Sequence, residues 1–286
     1  MTTNPIIRFG QLPAVHLQAP DGAEATITLF GAHVVSWRPA SGSEQLFCAS
    51  QAVLDGSKAI RGGIPVIFPQ FAARGDGLRH GFARVSEWQV EQNGVANGVS
   101  FAEFSLTSAG SSAPNWPHEF ALLLRVAVHA EQLQLSLRVR NTGAHPFSFA
   151  AAFHTYFKVE EFSACAIKGL HDMAYADHTV TPTQAAHQAE VLLHTTAALD
   201  RVYHQIPGDL ELLQKVNSLI LQQEGFCDAV IWNPGNVALA DLAQDDYRHF
   251  ICIEAAMIDP YWLKAGEEWC GLHSMRSATI DNNCAA

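Results

Sequence analysis

Hydrophobic and polar residues alternate along much of this chain, which is the pattern of half-buried β-strands. The clearest example spans residues 133–139 and reads LQLSLRV, with apolar residues separated by polar ones. A period of two predicts a strand that buries one face and leaves the other in solvent. Residues 120–128 form a second apolar segment, and a tight turn at residues 130–132 is expected to pair the two as antiparallel strands.

Shorter apolar segments, separated by turn residues, extend this pattern along the rest of the chain. The pairs Asn93-Gly94 and Asn97-Gly98 are typical turn signals. Residues 209–216 are interpreted as a short helix, and no longer amphipathic helix, fixed-period repeat or low-complexity linker is evident. Further strands are predicted at residues 26–30, 34–37, 87–90, 99–106, 147–159, 218–223, 229–232 and 249–257. We therefore predict an all-β fold, a large antiparallel β-sandwich, in which residues 1–286 form a single domain.

Composition narrows the classes of partner. The 286 residues are 48% hydrophobic, which provides ample material for a core. With 28 acidic residues against 17 Lys and Arg, the net charge is −11, and this disfavours nucleic acid and anionic membrane surfaces as partners. No segment approaches the length of an apolar membrane span and the N-terminus has no signal-peptide pattern, so we expect a cytoplasmic protein. The six cysteines are scattered singly, as is typical of reduced thiols.

The segment 58–84, KAIRGGIPVIFPQFAARGDGLRHGFAR, concentrates positive charge in this acidic chain. Its glycines and prolines favour tight turns, so we expect its cations on shaped loops around a short buried strand. The planar donor fork of arginine matches phosphate and carboxylate oxygens, and the cluster therefore indicates a small anionic ligand. The alternative is that these side chains are solvated loop charges or bridge to nearby carboxylates. The cations are Lys58, Arg61, Arg74, Arg79 and Arg84.

Two titratable residues stand out within apolar strands. His154 ends the segment FSFAAAFH, and on a strand it shares its face with one serine and two alanines, which leaves room above the ring. Glu254 lies in ICIEAAM, where a buried carboxylate is costly unless it is paired, and where desolvation raises its pKa and makes it a stronger base. The alternatives are a core histidine bonded to a neighbour and a carboxylate with a structural role.

Three further residues are weaker candidates when each is taken alone. His80 is an isolated histidine beside a glycine, and Asp200 and Asp228 lie near predicted turns, where aspartates usually cap or form the turn. The fourteen histidines do not show metal-ligand spacing. We therefore predict no catalytic metal and no other cofactor.

Several motifs taken together resemble the aldose 1-epimerase superfamily, and within it the glucose-6-phosphate 1-epimerase, or hexose-6-phosphate mutarotase, branch. They occur in the family's order between about residues 31 and 269, and RGGIPVIFPQF followed by HGFAR is the most specific of them. The others are FHTYF, LDRVY (interpreted as a turn), DAVIWNP and ICIEAA. The resemblance implies a β-supersandwich with a cleft on one sheet, and a cofactor-free isomerase that interconverts the anomers of a hexose 6-phosphate.

The resemblance also assigns roles to residues. It implies that His154 and Glu254 form the acid–base pair. The family's sugar-phosphate contacts correspond to Arg61, Arg84 and Asp200, and to the position of Arg79. His80 corresponds to a site-lining histidine of the wider superfamily, and Asp228 lies in the DAVIWNP motif. Among them Arg79 departs from the family, which has Gln at this position, so its role is open. These substrate-binding candidates are Arg61, Arg79, His80, Arg84, Asp200 and Asp228.

Two other functions compete with this interpretation. A galactose-type mutarotase that acts on free sugars would not need the cationic segment. A non-catalytic module that binds sugar phosphates would keep the arginines but would need no acid–base pair. The presence of both His154 and Glu254 on strand faces with small neighbours counts against the binding module.

Overall fold

A computed structural model describes residues 3–110 and 116–279. In these residues the chain forms strands and short 3-10 helices, with no α-helix, and no helix is long or apolar enough to cross a membrane. The 3-10 helices are Ala83–Val85, Ser108–Gly110, Phe162–Ala164 and Asp246–His249. The five described cysteines are free thiols, and Cys284 lies outside the described residues.

The strands of the described residues are short in the middle of the chain and long near its end. The first eleven are β1 (Ile6–Phe9), β2 (Leu12–Gln18), β3 (Glu24–Thr28), β4 (His33–Arg38), β5 (Val66–Ile67), β6 (Gln89–Ala96), β7 (Val99–Thr107), β8 (Phe120–His129), β9 (Gln132–Asn141), β10 (Phe147–Phe153) and β11 (Tyr156–Lys158). The others are β12 (Ala166–Lys168), β13 (Ala174–Asp177), β14 (Gln184–His187), β15 (Leu192–His194), β16 (Leu199–Tyr203), β17 (Leu210–Leu213), β18 (Asn217–Glu224), β19 (Asp228–Asn233), β20 (Phe250–Leu263) and β21 (Glu268–Thr279).

These strands form three antiparallel sheets. The first has the order β1-β2-β3-β4. The second has eight strands, in the order β14-β13-β16-β19-β20-β10-β5, with β11 also paired to β20. The third has nine, in the order β15-β12-β17-β18-β21-β9-β8-β7-β6. The two large sheets pack face to face, since Phe149 of β10 contacts Trp269 of β21 with ring centroids 5.5 Å apart. The prediction of an all-β sandwich is confirmed.

The strand with the clearest alternation is also confirmed. Residues 133–139 lie within β9, and their apolar side chains are buried while the polar ones between them are not. The predicted partner, residues 120–128, is β8, which pairs with β9 from Phe120 opposite Asn141 to His129 opposite Gln132.

Three local predictions were wrong. Asn93-Gly94 lies inside β6, and the chain turns at Asn97-Gly98, where both residues have positive φ. Residues 209–216 contain strand β17 instead of a helix, because Leu210 and Leu212 alternate with more exposed residues and face the core. The LDRVY segment is strand β16 instead of a turn.

The eight-stranded sheet has a second apolar surface on its outer face. Along β10, Phe149 and Phe153 face the main core, whereas Ala150 and Ala152 belong to a smaller cluster on the opposite side. The cationic segment lies beside this outer face: β5 in its middle pairs with β10 as the edge strand of the sheet, and Ile67 and Phe71 pack in the outer cluster. The sheet thus provides a floor of small residues, with the cationic loops beside it.

Candidate active site

Two adjacent strands bring His154 and Glu254 together. Phe153 of β10 is paired with Ala255 of β20, so the residue that follows Phe153 lies beside the residue that precedes Ala255. Nε2 of His154 is 3.2 Å from Oε1 of Glu254. The two residues proposed from the sequence as an acid–base pair are therefore within hydrogen-bonding distance.

Burial disfavours the imidazolium form of His154. Only 10% of its side chain is exposed. Loss of hydration is the largest cause that holds the pKa of His154 well below its ordinary value, and the nearby charges of His80, Arg84 and Arg61 add to it. The Nδ1 atom is buried and has no hydrogen-bond partner among the described residues.

Burial disfavours the charged form of Glu254 as well. Its side chain is 2% exposed. Desolvation raises the pKa of Glu254 well above its ordinary value; Asp200 reinforces the rise, and Arg84 and Arg79 oppose it. Its second oxygen, Oε2, is buried without a partner in the described part of the chain. Because unpartnered buried polar atoms are rare, a bound ligand is a natural source of the missing hydrogen bonds.

A cavity of about 470 Å³ lies over this pair. Four of the five cations of segment 58–84 line it, and Lys58 does not. The carboxylates that line it are Asp200 and Glu254, so positive charge predominates in its walls. Its lining residues are Arg61, Phe71, Ala72, Arg74, Arg79, His80, Arg84, His154, Tyr156, His178, Asp200, Val202, Val230, Trp232, Leu239 and Glu254.

Arg61 reaches the cavity from a turn that requires glycine. Gly62 and Gly63, which follow it, both have positive φ, and a Cβ atom at Gly62 would lie 2.3 Å from the carbonyl oxygen of Phe47. The guanidinium of Arg61 donates a hydrogen bond to the hydroxyl of Tyr156 at 2.9 Å. It also forms an ion pair with Asp241 at 3.0 Å.

The other arginines have fewer partners. Nη2 of Arg84 donates to the backbone carbonyl of Arg79 at 2.8 Å, and Nε of Arg84 is buried without a partner among the described residues. Arg79 is exposed at the cavity wall. Arg74 forms a loose pair with Asp259, at 3.7 Å. These guanidinium groups therefore have more capacity to bind an anion than Arg61 has.

His80 presents one defined tautomer to the cavity. Its Nδ1 accepts a hydrogen bond from the backbone N–H of Ala72 at 3.3 Å. Burial, followed by the charges of Arg84, Arg79 and Arg61, lowers its pKa to about 3, so the ring is neutral near pH 7. A neutral imidazole that accepts at Nδ1 carries its proton on Nε2. His80 is therefore an N–H donor, and its ring packs against His154 with centroids 5.4 Å apart.

Asp200 reaches the same cavity from β16. It lies opposite Trp232 of β19, and the neighbouring outward position on β16, Val202, lies opposite Val230. Desolvation is the main cause that raises the pKa of Asp200, while His178 and Arg79 oppose it.

The structure does not bring Asp228 to this cavity. Asp228 is buried at the start of β19, and its carboxylate accepts hydrogen bonds from the backbone N–H groups of Ile258, at 2.9 Å, and Gln205, at 3.3 Å. It also contacts Nδ1 of His204 at 3.2 Å. These contacts join β19 to its neighbours, and a substrate-binding role for Asp228 stays a prediction.

Sequence analysis missed four residues with polar side-chain groups in or beside the cavity: Tyr156, His178, Trp232 and Asp241. Tyr156 is two residues beyond His154, so strand alternation was a signal that could have placed both on one face. Trp232 is likewise two residues beyond Val230 in β19, and both side chains line the cavity. His178 lies in a polar segment, where no pattern marks it. Asp241 interrupts the apolar segment VALADLA at residues 237–243, and a carboxylate within an apolar segment was a signal that could have found it.

Two larger cavities lack this chemistry. One, of about 920 Å³, lies between residues 39–45, 158–165 and 214–217. The other, of about 680 Å³, lies on the outer face of the same sheet, beyond the loop that carries Arg74. Neither is lined by a histidine, and neither contains the buried carboxylate–imidazole contact that marks the 470 Å³ cavity.

The fold and this site are those of a sugar epimerase. Residues 13–275 match the aldose 1-epimerase family, and the chain belongs to that family. A crystal structure of a "putative mutarotase" from Salmonella typhimurium superposes with a TM-score of 0.86 at 24% identity, over 96% of this chain and 97% of the other. That likeness establishes the fold.

Two curated relatives define the branch more closely. A protein from Cenchrus ciliaris is 35% identical over 96% of this chain and 87% of its own length. One from Escherichia coli K12 is 30% identical over 88% of this chain and 87% of its own. Both carry the name "Putative glucose-6-phosphate 1-epimerase".

Proposed function

We propose that the protein interconverts the α and β anomers of a hexose 6-phosphate such as glucose 6-phosphate. The observation that carries the proposal is the contact between His154 and Glu254 on the floor of a cavity lined by four arginines. The names of the two curated relatives support the same substrate class. A cytoplasmic location, and a single domain over residues 1–286, stay predictions from the sequence.

The reaction needs one acid and one base. A base removes the proton from the anomeric hydroxyl O1 while an acid protonates the ring oxygen O5, and the C1–O5 bond breaks to give the open-chain aldehyde. Rotation about C1–C2 exposes the other face of the carbonyl. The ring closes as O5 adds to C1, and the two groups regain their original protonation states. We assign Glu254 as the base and His154 as the acid.

The charge of the substrate acts on both members of the pair. In the free protein, burial favours a carboxylic acid at Glu254 and a neutral imidazole at His154. Arg84 lowers the pKa of both groups, so a phosphate that neutralises it raises both pKa values, which favours the imidazolium but not the carboxylate. The active pair is therefore reached by transfer of one proton from Glu254 to His154 across their 3.2 Å contact.

The arginines are assigned to the phosphate. Arg84 and Arg79 have free donor capacity at the cavity wall, and Arg61 adds a third guanidinium. A phosphate held by two of them would fix the sugar ring over the acid–base pair, and orientation of this kind lowers the barrier. The N–H of His80 and the carboxylate of Asp200 remain for the sugar hydroxyl groups.

One observation favours an enzyme for free sugars. Arg61 is already engaged by Asp241 and Tyr156, so part of the cationic cluster is neutralised within the protein. If the other arginines are also held by groups of the protein, a sugar can bind without a phosphate group.

Anomer exchange measured by saturation-transfer NMR separates the two functions. We expect catalysed exchange of glucose 6-phosphate with a kcat/KM at least about a hundredfold above that of glucose, the scale of one lost charge-assisted contact. Equal values for the two sugars would favour the free-sugar enzyme. Phosphate-dependent binding without catalysed exchange would favour a binding module.

A further inference from the structure

Tyr156 contacts both parts of the candidate site. Its ring stacks on the imidazole of His154, with centroids 4.9 Å apart and planes inclined by 11°. Its hydroxyl accepts the hydrogen bond from Arg61 at 2.9 Å. In the described residues no other side chain has both a ring contact with His154 and a hydrogen bond to an arginine of the cavity.

The stacking matters because His154 lacks the usual means of fixing an imidazole. A catalytic histidine is commonly oriented by a hydrogen bond at the nitrogen that does not react. Here Nδ1 of His154 is buried and has no partner among the described residues. The ring is held instead by neighbouring rings: Tyr156 lies parallel to its face, while His80 and Trp232 meet it at steep angles of 74°.

Tyr156 is itself held firmly. It is 3% exposed, and in β11 it pairs with Cys252 of β20, two residues before Glu254. Its ring also packs against Phe250, with centroids 5.2 Å apart. Tyr156 and Glu254 are therefore fixed relative to one another by the same strand.

We propose that Tyr156 is a positioning residue, which holds the plane of His154 toward Glu254 with its ring and fixes Arg61 with its hydroxyl. This role rests on the proposed function, because it concerns the same acid–base pair. The two contacts use different parts of one side chain, so they can be removed separately. The ring also favours an imidazolium over a neutral imidazole, since the face of an aromatic ring attracts cations.

Two substitutions separate the contacts. Tyr156→Phe keeps the stacked ring and removes the acceptor of Arg61, so we expect KM for glucose 6-phosphate to rise about tenfold, with a much smaller change in kcat and in KM for glucose. Tyr156→Leu removes the ring, and we expect kcat to fall about a hundredfold for both sugars, the scale of a misplaced catalytic group. Tyr203→Phe is the matched control. It removes a buried hydroxyl that contacts Gln188, and it should change neither constant.

A pH profile and NMR add a readout that a merely structural role would not change. Glu254, His80, Arg84 and Arg61 also influence the charge on His154, and all of them are retained in both variants. We expect the kcat profile of Tyr156→Leu to shift toward lower pH on its alkaline side, while Tyr156→Phe keeps the wild-type profile. In ¹⁵N-histidine spectra, the ring signals of His154 should move in the Leu variant and stay in place in the Phe variant.

Each outcome supports or overturns the proposal. If Leu and Phe lower kcat equally, the hydroxyl acts on catalysis and the stacking role is wrong. If Leu keeps kcat within about threefold of wild type, or leaves the His154 signals unchanged in a folded protein, Tyr156 does not position the ring. If wild-type protein exchanges no sugar, the proposed function fails. The NMR comparison of the variants still tests whether Tyr156 orients the ring of His154.

Discussion

Acid should destabilise the protein through His33, a residue beneath the cationic loops. His33 begins β4 and is fully buried. Its Nε2 donates to the carbonyl of Gly62 at 2.7 Å, while Nδ1 is buried without a partner in the described residues. Protonation would place a second N–H, and a positive charge, where neither water nor an acceptor reaches it.

The size of the effect follows from the pKa. Desolvation is the main cause that lowers the pKa of His33 from 6.5 to about 4; the hydrogen bond to Gly62 opposes the change, and Arg84 adds to it. Between these values the unfolded chain binds a proton that the folded protein does not, so the free energy of unfolding falls as the pH falls. One pKa unit corresponds to about 1.4 kcal/mol, and the loss from His33 between pH 7 and pH 5 is about 2 kcal/mol.

The variant His33→Gln isolates this contribution. Its side-chain amide can still donate to Gly62 but cannot titrate. Urea unfolding, followed by tryptophan fluorescence at pH 7 and pH 5, should show a loss of stability about 2 kcal/mol smaller in the variant than in wild type. His187→Gln, at an exposed position of β14, is the control and should behave as wild type. The same pH dependence in wild type and His33→Gln would refute the argument, whatever their absolute stabilities.

Three predictions concern catalysis. Glu254→Gln should lower the catalysed exchange rate by about two to four orders of magnitude, the usual scale of a lost acid–base group, and near-native turnover in a folded variant would remove Glu254 from the mechanism. His154→Ala should abolish most activity yet still bind glucose 6-phosphate in a calorimetric titration; parallel small losses of binding and rate would mean that His154 is not the acid. Arg84→Ala should weaken binding of glucose 6-phosphate roughly ten- to a hundredfold more than binding of glucose at fixed ionic strength, with a smaller effect from Arg79→Ala, and equal losses for both sugars would show that the cations shape the loops.

The fold was predictable where one periodicity dominated. Alternation over 133–139 identified β9 because each buried position is a large aliphatic residue. The error at residues 209–216 came from adjacent leucines, which satisfy a helical face as well as a strand. The pairing of β17 with its two neighbours decides between the two; β18 follows it directly along the chain, but β12 lies far earlier in the sequence.

The residues of the candidate site could be predicted from the sequence, but the contacts between them could not. Alternation indicated that His154 and Glu254 each share a face with small residues, but the pairing of Phe153 with Ala255 is what makes them neighbours. The ion pair between Arg61 and Asp241 joins two loops without regular structure, 180 positions apart by their residue numbers. No local pattern contains that information.

The acidic chain and the proposed anionic substrate are compatible because the two charges act over different distances. At physiological ionic strength, charges more than about 8 Å away are largely screened, so most of the net charge of −11 has little influence inside the cavity. The four arginines lie in the wall that a bound ligand would touch, and two of them, Arg61 and Arg84, are partly shielded from water. Attraction at contact therefore outweighs repulsion at long range, and the clustering of cations in segment 58–84 is a stronger guide to the ligand than the net charge is.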